Sequence, residues 1–209
     1  VEVRGLDVYS LHRSIDEVLH YLDRVDPEAA QEARRHYGCL SPYLEQPQAY
    51  GAIATRTGRT CEDAVVQQLV SLLEREVAYA QADGDFFFDA AQNARVVCAA
   101  ENYYRAMYQG SVESWNLRDG HMFDTLTRLL DRRGSDSKAI VWAHNSHIGN
   151  AAATAMGEGG EFNIGQLARV AFKNKAVLIG FGADRGDVMA ADNWGGAPRI
   201  KSIVPSRPD

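Results

Sequence analysis

The chain has 209 residues, of which 45% are hydrophobic and 24% charged, and carries a formal net charge of −6. Such a composition is that of a soluble globular domain able to bury a sizeable core. The acidic balance argues against nucleic-acid binding, which needs clustered Lys and Arg, and the longest apolar runs fall well short of the roughly 20 residues that cross a bilayer.

Residues 1–3 read as the end of a strand, followed by a loop around Gly5. Ser14 with Glu17 three residues on has the form of a capping box, and Ile15, Val18, Leu19 and Leu22 behind it share a helical face. Pro27 is suited to open a second helix, ending near Gly38. The stretch 41–58 holds Pro42, Pro47, Gly51 and Gly58 and reads as the most loop-like segment, able to order over a ligand. Thr60 is placed to cap a helix to about residue 81, with Val65, Leu69, Leu72 and Leu73 at helical spacing. After a break at Gly84-Asp85 comes a long helix over 86–108. The two form an antiparallel hairpin.

A further helix is expected over about 117–133, ending at Gly134. Two short apolar runs follow, Ala139 to Ala143 and Ala176 to Gly182. Runs of this length read as buried parallel strands, and a helix capped by Asn163 between them would complete a right-handed βαβ unit. Residues 187–190 and 199–204 are suited to edge strands, and Trp194-Gly195-Gly196 to a turn. The fold class expected is therefore α/β: a parallel-sheet core with an inserted long helical hairpin at about 60–109, incomplete at its N-terminus because so few strands accompany so many helices. An unpaired strand edge near Val1 predicts self-association.

Three cysteines at wide spacing, Cys39, Cys61 and Cys98, point to reduced thiols in a cytoplasmic protein. His144 and His147 carry the strongest chemical signal. They follow the first strand's carboxyl end, where open parallel sheets bind ligands, and imidazole serves as base, acid or metal ligand. The bland alternative is one ring on a backbone carbonyl and the other in solvent. Arg118 can clamp a carboxylate or polarised carbonyl, whereas Asp119 in a first helical turn would complement the helix dipole. Glu101 and Arg105 read as a buried structural pair, and His12, His20, His36 and His121 as surface histidines. The Gly180–Gly186 stretch lacks the spacing of a phosphate loop, and no G-x-S-x-G elbow occurs.

Trp142-Ala143-His144-Asn145-Ser146-His147-Ile148, Met156-Gly157 and Ile179-Gly180-Phe181-Gly182 resemble the erythromycin esterase family, as do Gly5-Leu6-Asp7-Val8-Tyr9-Ser10 and Trp115-Asn116-Leu117-Arg118-Asp119-Gly120-His121-Met122 upstream, in the same order. The similarity runs through nearly the whole chain, residues 1–209. It implies hydrolysis of a carboxylic ester or lactone, macrolides among the candidates, by direct water attack without a covalent intermediate and without a cofactor. A histidine would take the proton from water, and other imidazoles and an Arg would stabilise the oxyanion.

The resemblance carries His144 over as an active-site histidine, His147 as its partner, and Arg118, Asp119, Asn145 and Asp7 as substrate-binding or supporting residues. It assigns no metal ligands. Some family members are joined to a phosphoribosyltransferase-like domain. The chain lacks the family's N-terminal G-E-x-x-H type motif, which supplies the expected general base, so it is expected to be inactive or nearly so alone. The alternatives are a metal-dependent hydrolase using His144, His147 and Asp7 or Glu101, and a non-catalytic binding module.

Overall fold

A computed structural model describes residues 1–192 and 196–204; the turn expected at Trp194 lies outside them. In chain order the helices are α1 (Leu11–Val25), α2 (Pro27–Tyr37), α3 (Pro47–Thr57), α4 (Glu62–Glu74), α5 (Glu76–Ala106), α6 (Ser111–Arg133), the single turns α7 (Asn145–Ile148) and α8 (Ala155–Glu158), and α9 (Ile164–Phe172). Strands β1 (Gly186–Ala190) and β2 (Arg199–Ile203) pair antiparallel, Gly186 opposite Ile203.

The molecule is organised on α5, which packs against α1, α3, α4 and α6. Ala90, Ala91, Ala94, Val97 and Ala100 line its buried side. Short side chains let neighbouring helices come close. At the crossing with α3, a Cβ on Gly51 would lie 2.0 Å from the Tyr104 carbonyl oxygen, so only glycine fits. From α1, Leu11, Ile15, Val18 and Leu22 complete this core.

Several boundaries move. Ser10 rather than Ser14 precedes α1, and Ser14 is buried within it, its hydroxyl 3.1 Å from that of Ser10. The helix expected over 60–81 is divided at Arg75, and the expected break at Gly84 becomes a kink in α5 at Asp83, whose φ and ψ are −163° and 85°. The expected loop over 41–58 contains α3, with Pro47 at its start and Gly58 closing it at φ 70°. That Pro-first, Gly-last order is itself a helix signature, outweighed in the sequence reading by the density of turn residues. Pro27 opens α2, with the Asp26 side chain accepting from Ala29 N at 3.0 Å, and Asn163 caps α9, as expected.

The expectation about the cysteines is corrected. The turn after α2 and the start of α4 bring Cys39 and Cys61 to a Cα separation of 6.0 Å, and the two form a disulfide. Sequence spacing could not reveal this, because the approach depends on how α3 folds back. Closing a loop of this length is worth about 3 kcal/mol. The argument from reduced thiols to the cytoplasm therefore loses its basis. No helix among the described residues is long and apolar enough to cross a membrane.

The fold class is also corrected. The chain is mostly helical, and the only sheet among the described residues is the two-stranded antiparallel β1–β2 pair. Residues 139–143 and 176–182 form no ladder. On one side Val141 packs onto a second core of Met122, Leu126 and Ile164 with Phe123 and Phe172. The alternate side chains Ile140, Trp142, Val177, Ile179 and Phe181 stand 63–95% exposed. Parallel sheets occur where both faces are covered. Here helices cover one face only, so the apolar strand pattern is present without the sheet that would bury it.

Candidate active site

The site is built on the inner stripe of α6. Trp115, Asp119, Met122 and Leu126 recur at four-, three- and four-residue steps, one face of a helix. Met122 and Leu126 enter the second core. Asp119, on the same stripe, is completely buried. Its carboxylate faces His147: Nδ1 lies 2.8 Å from Oδ2 and 3.1 Å from Oδ1. The backbone N–H of Ile164 donates to Oδ1 at 3.0 Å. An ionised carboxylate only accepts, so Nδ1 of His147 donates to it, and in the neutral ring Nε2 is then the nitrogen with the lone pair.

Trp115 holds the imidazole flat. The two rings are 4.6 Å apart and 1° from parallel, and the indole N–H donates to the Phe162 carbonyl at 2.7 Å. Asn116 ties the same strand of chain from both ends, donating to Gly160 O at 3.0 Å and accepting from Phe162 N at 2.9 Å. Asn163 donates to Ser146 O at 2.7 Å while its other side-chain atom caps α9. Gly165 permits α9 to lie against the end of α7: a Cβ there would meet the carbonyl oxygens of Gly149 and Ile148 at 2.2 and 2.4 Å.

Arg118, one residue before Asp119, makes a bidentate pair with Asp7, at 2.9 Å from Nε and 2.6 Å from an Nη. Its guanidinium also lies over the Tyr9 ring, 4.4 Å from the centroid. Burial pushes the Asp7 carboxyl up, but Arg118, the Val8 N–H and the nearby His147 together hold it below the usual carboxylate range. A planar fork that is paired on one edge and stacked on a ring is well fixed in direction.

His144 behaves differently. It is exposed and caps α7, its Nδ1 accepting from Ser146 N at 3.2 Å and lying 2.9 Å from Ser146 Oγ. An accepting Nδ1 places the proton on Nε2. The two histidines therefore present opposite chemistry at their outer nitrogens: His147 a lone pair, His144 an N–H. Asn145 is used structurally, its side chain bonding both N–H and C=O of Phe181, the former at 3.1 Å. It clamps the second extended segment to the carboxyl end of the first.

The structure thus forms two pairs from neighbouring positions of α6, Arg118 with Asp7 and Asp119 with His147, with His144 beside His147 in sequence. Asp119 is a buried partner of His147 and not merely a complement to a helix dipole. The sequence named Asp119 as a supporting residue; the signal of its burial was a carboxylate on an apolar helical stripe. Trp115 was legible only as part of a motif.

Glu101 does not belong to the unit. It is buried against α3, accepting from the Tyr50 hydroxyl and from Arg105 at 2.8 and 3.1 Å, so the structural-pair reading holds and Glu101 drops out of the metal-ligand alternative. No group of three His, Cys, Asp or Glu side chains suited to a metal occurs among the described residues.

His121 is half-buried rather than a surface residue. Burial, then the charge of Arg128, pushes its pKa down to about 4. Its folded value lies below the ordinary 6.5, so the unfolded chain binds the proton first. His121 therefore adds stability that is fully present above about pH 6.5 and is lost as pH falls toward 4. Denaturant melts across that window will show a pH slope that His121→Asn reduces; an unchanged slope would remove His121 as its source.

The family model for erythromycin esterase matches residues 1–209. The chain belongs to the erythromycin esterase family. A solved structure of a succinoglycan biosynthesis protein superposes with a TM-score of 0.75 at 18% identity, covering 99% of this chain and 48% of that one. At that identity the likeness concerns the fold alone. The chain spans about half the length of that structure. Within the family match lie both motifs that build the site, the α6 stretch of Trp115, Arg118 and Asp119 and the turn of His144 and His147.

Proposed function

We propose that this esterase-family chain carries the proton-transfer centre of a carboxylic-ester or lactone hydrolase acting by direct attack of water. The observation that supports it is the Asp119–His147 pair: a fully buried carboxylate orienting a histidine ring that Trp115 holds flat. In this reading His147 Nε2 moves the water proton, Asp119 keeps the ring in the required tautomer, and Arg118 with the His144 Nε2–H faces the developing oxyanion. A macrolide lactone is one substrate within this class.

The bare apolar face beside His144 supports a site completed by further protein packed on that face, which would enclose the attacking water and add groups around it. Residues 1–209 alone are then expected to turn over esters slowly or not at all.

The test is hydrolysis of p-nitrophenyl esters of increasing chain length and of a macrolide lactone, by this chain and by a full-length protein containing it, each with His147→Ala and His144→Ala. Activity in the longer protein should fall by about 10²–10⁴ with His147→Ala. Undiminished turnover in both variants would sink the proposal.

A further inference from the structure

Arginine has a long side chain that rotates freely in water, yet the Arg118 guanidinium is held on two sides by one short piece of chain. Asp7 takes one edge, with Oδ1 2.9 Å from Nε and Oδ2 2.6 Å from Nη2. Tyr9, two residues on, presents its ring to the face of the same group, Cζ lying 4.4 Å from the centroid. Val8 between them is fully buried in the first core, and its N–H donates to Asp7 Oδ1 at 2.8 Å. The residue that separates the two contacts therefore also anchors them.

The Tyr9 ring is itself tied to α5. Its hydroxyl is 2.9 Å from that of Tyr103, and the two rings meet edge to face with centroids 5.7 Å apart. Tyr103 is buried in the same core as Val8. Flat rings with few rotatable bonds thus run from the central helix to the guanidinium.

The two contacts on Arg118 do different work. Hydrogen bonds to a carboxylate lie in the guanidinium plane and set where the fork points within it. A ring beneath the group sets the tilt of that plane. Neither contact alone fixes both. The remaining edge is open: Nη1 makes no hydrogen bond among the described residues, although the side chain is only 16% exposed.

We propose that Tyr9 is a positioning residue of the hydrolytic site, setting the tilt of Arg118 so that Nη1 meets the substrate oxygen, with Tyr103 fixing Tyr9 in turn. The kinetic consequence rests on the hydrolase reading; the restraint on Arg118 does not. A donor that arrives at the wrong angle bonds the developing oxyanion poorly, while ground-state binding through other groups persists.

The test compares Tyr9→Leu, which removes the ring, with Tyr9→Phe, which keeps the ring and drops the hydroxyl. Tyr9 is half-exposed, so neither change opens the core. In residues 1–209, nitrogen-15 relaxation of the Arg118 Nε–H should show an order parameter that falls below about 0.6 in Tyr9→Leu and stays near wild type in Tyr9→Phe. In the longer protein, Tyr9→Leu should lower kcat about tenfold with KM changed less than about twofold, and Tyr9→Phe should keep at least about half of the wild-type kcat. Tyr103→Phe should match Tyr9→Phe, and the double variant should be no worse than either, since all three lack the same hydroxyl contact. An unchanged Arg118 order parameter in Tyr9→Leu would overturn the restraint. Wild-type kcat in Tyr9→Leu, or equal losses in Tyr9→Leu and Tyr9→Phe, would overturn the role of the ring. Absence of turnover in the unsubstituted longer protein would overturn the hydrolase reading itself, a failure that the relaxation data keep distinct.

Discussion

Asp119→Asn should lower hydrolysis by about 10²–10⁴, the range expected when a proton-transfer group is lost, while the fold persists. The carboxylate accepts from two sides, His147 Nδ1 at 2.8 Å and Ile164 N at 3.0 Å. An amide at this position has one oxygen. If that oxygen keeps the Ile164 bond, the NH₂ group turns toward His147, and Nδ1 must become an acceptor. The ring proton then moves to Nε2, the atom that must take the proton from water. Asp119→Ala should be worse for stability, because it leaves the Ile164 N–H and the His147 ring without their buried partner, a cost of about 1–3 kcal/mol for each neutral group. Nitrogen-15 spectra of the His147 ring would report the tautomer without any turnover assay. An Nε2 signal unchanged between wild type and Asp119→Asn, with unchanged activity in the longer protein, would remove Asp119 from the mechanism.

Gly165→Ala should destabilise the chain by about 3 kcal/mol, at the upper end of what overpacking costs, and lower the melting temperature by roughly 10 °C. The added Cβ would sit 2.2 Å from Gly149 O and 2.4 Å from Ile148 O. Both obstacles are backbone, so no side-chain rotation relieves the contact. Either α9 moves outward, taking the buried Ile164 from the second core, or α7 moves and carries His147 off Asp119 and Trp115. Both routes damage the site as well as the fold. Gly134→Ala is a useful contrast: it too is glycine, but its Cβ would meet nothing within 4 Å, and any cost there comes from its φ of 87° alone. Calorimetric melts of the two variants decide this, and equal losses would show that crowding at Gly165 is not the cause.

The helices of the first core were largely legible because their causes are local. Ile15, Val18 and Leu22 repeat at helical spacing, Pro27 and Asn163 sit where caps belong, and Gly134 ends α6. Proline and glycine misled at α3, where composition outweighed their order. The two apolar runs read as buried parallel strands, but they make no sheet and their alternate side chains stand exposed. A strand is completed by its neighbour, and nothing within 139–143 or 176–182 states whether that neighbour is present.

The site divides in the same way. The motif residues His144, His147, Arg118, Asp119, Asn145 and Asp7 were named from the sequence, because the family resemblance placed them in order. Their roles were not. That Asp119 faces His147 across 28 positions, that Trp115 stacks on the same ring, that Arg118 is engaged by Asp7 from 111 positions away, and that Cys39 reaches Cys61 all depend on helices crossing. Local periodicity determined which residues each helix buries. The tertiary structure alone decided which buried polar groups meet, since a hydrogen bond of 3 Å is set by packing between elements distant in the chain and leaves no mark on the spacing within either one.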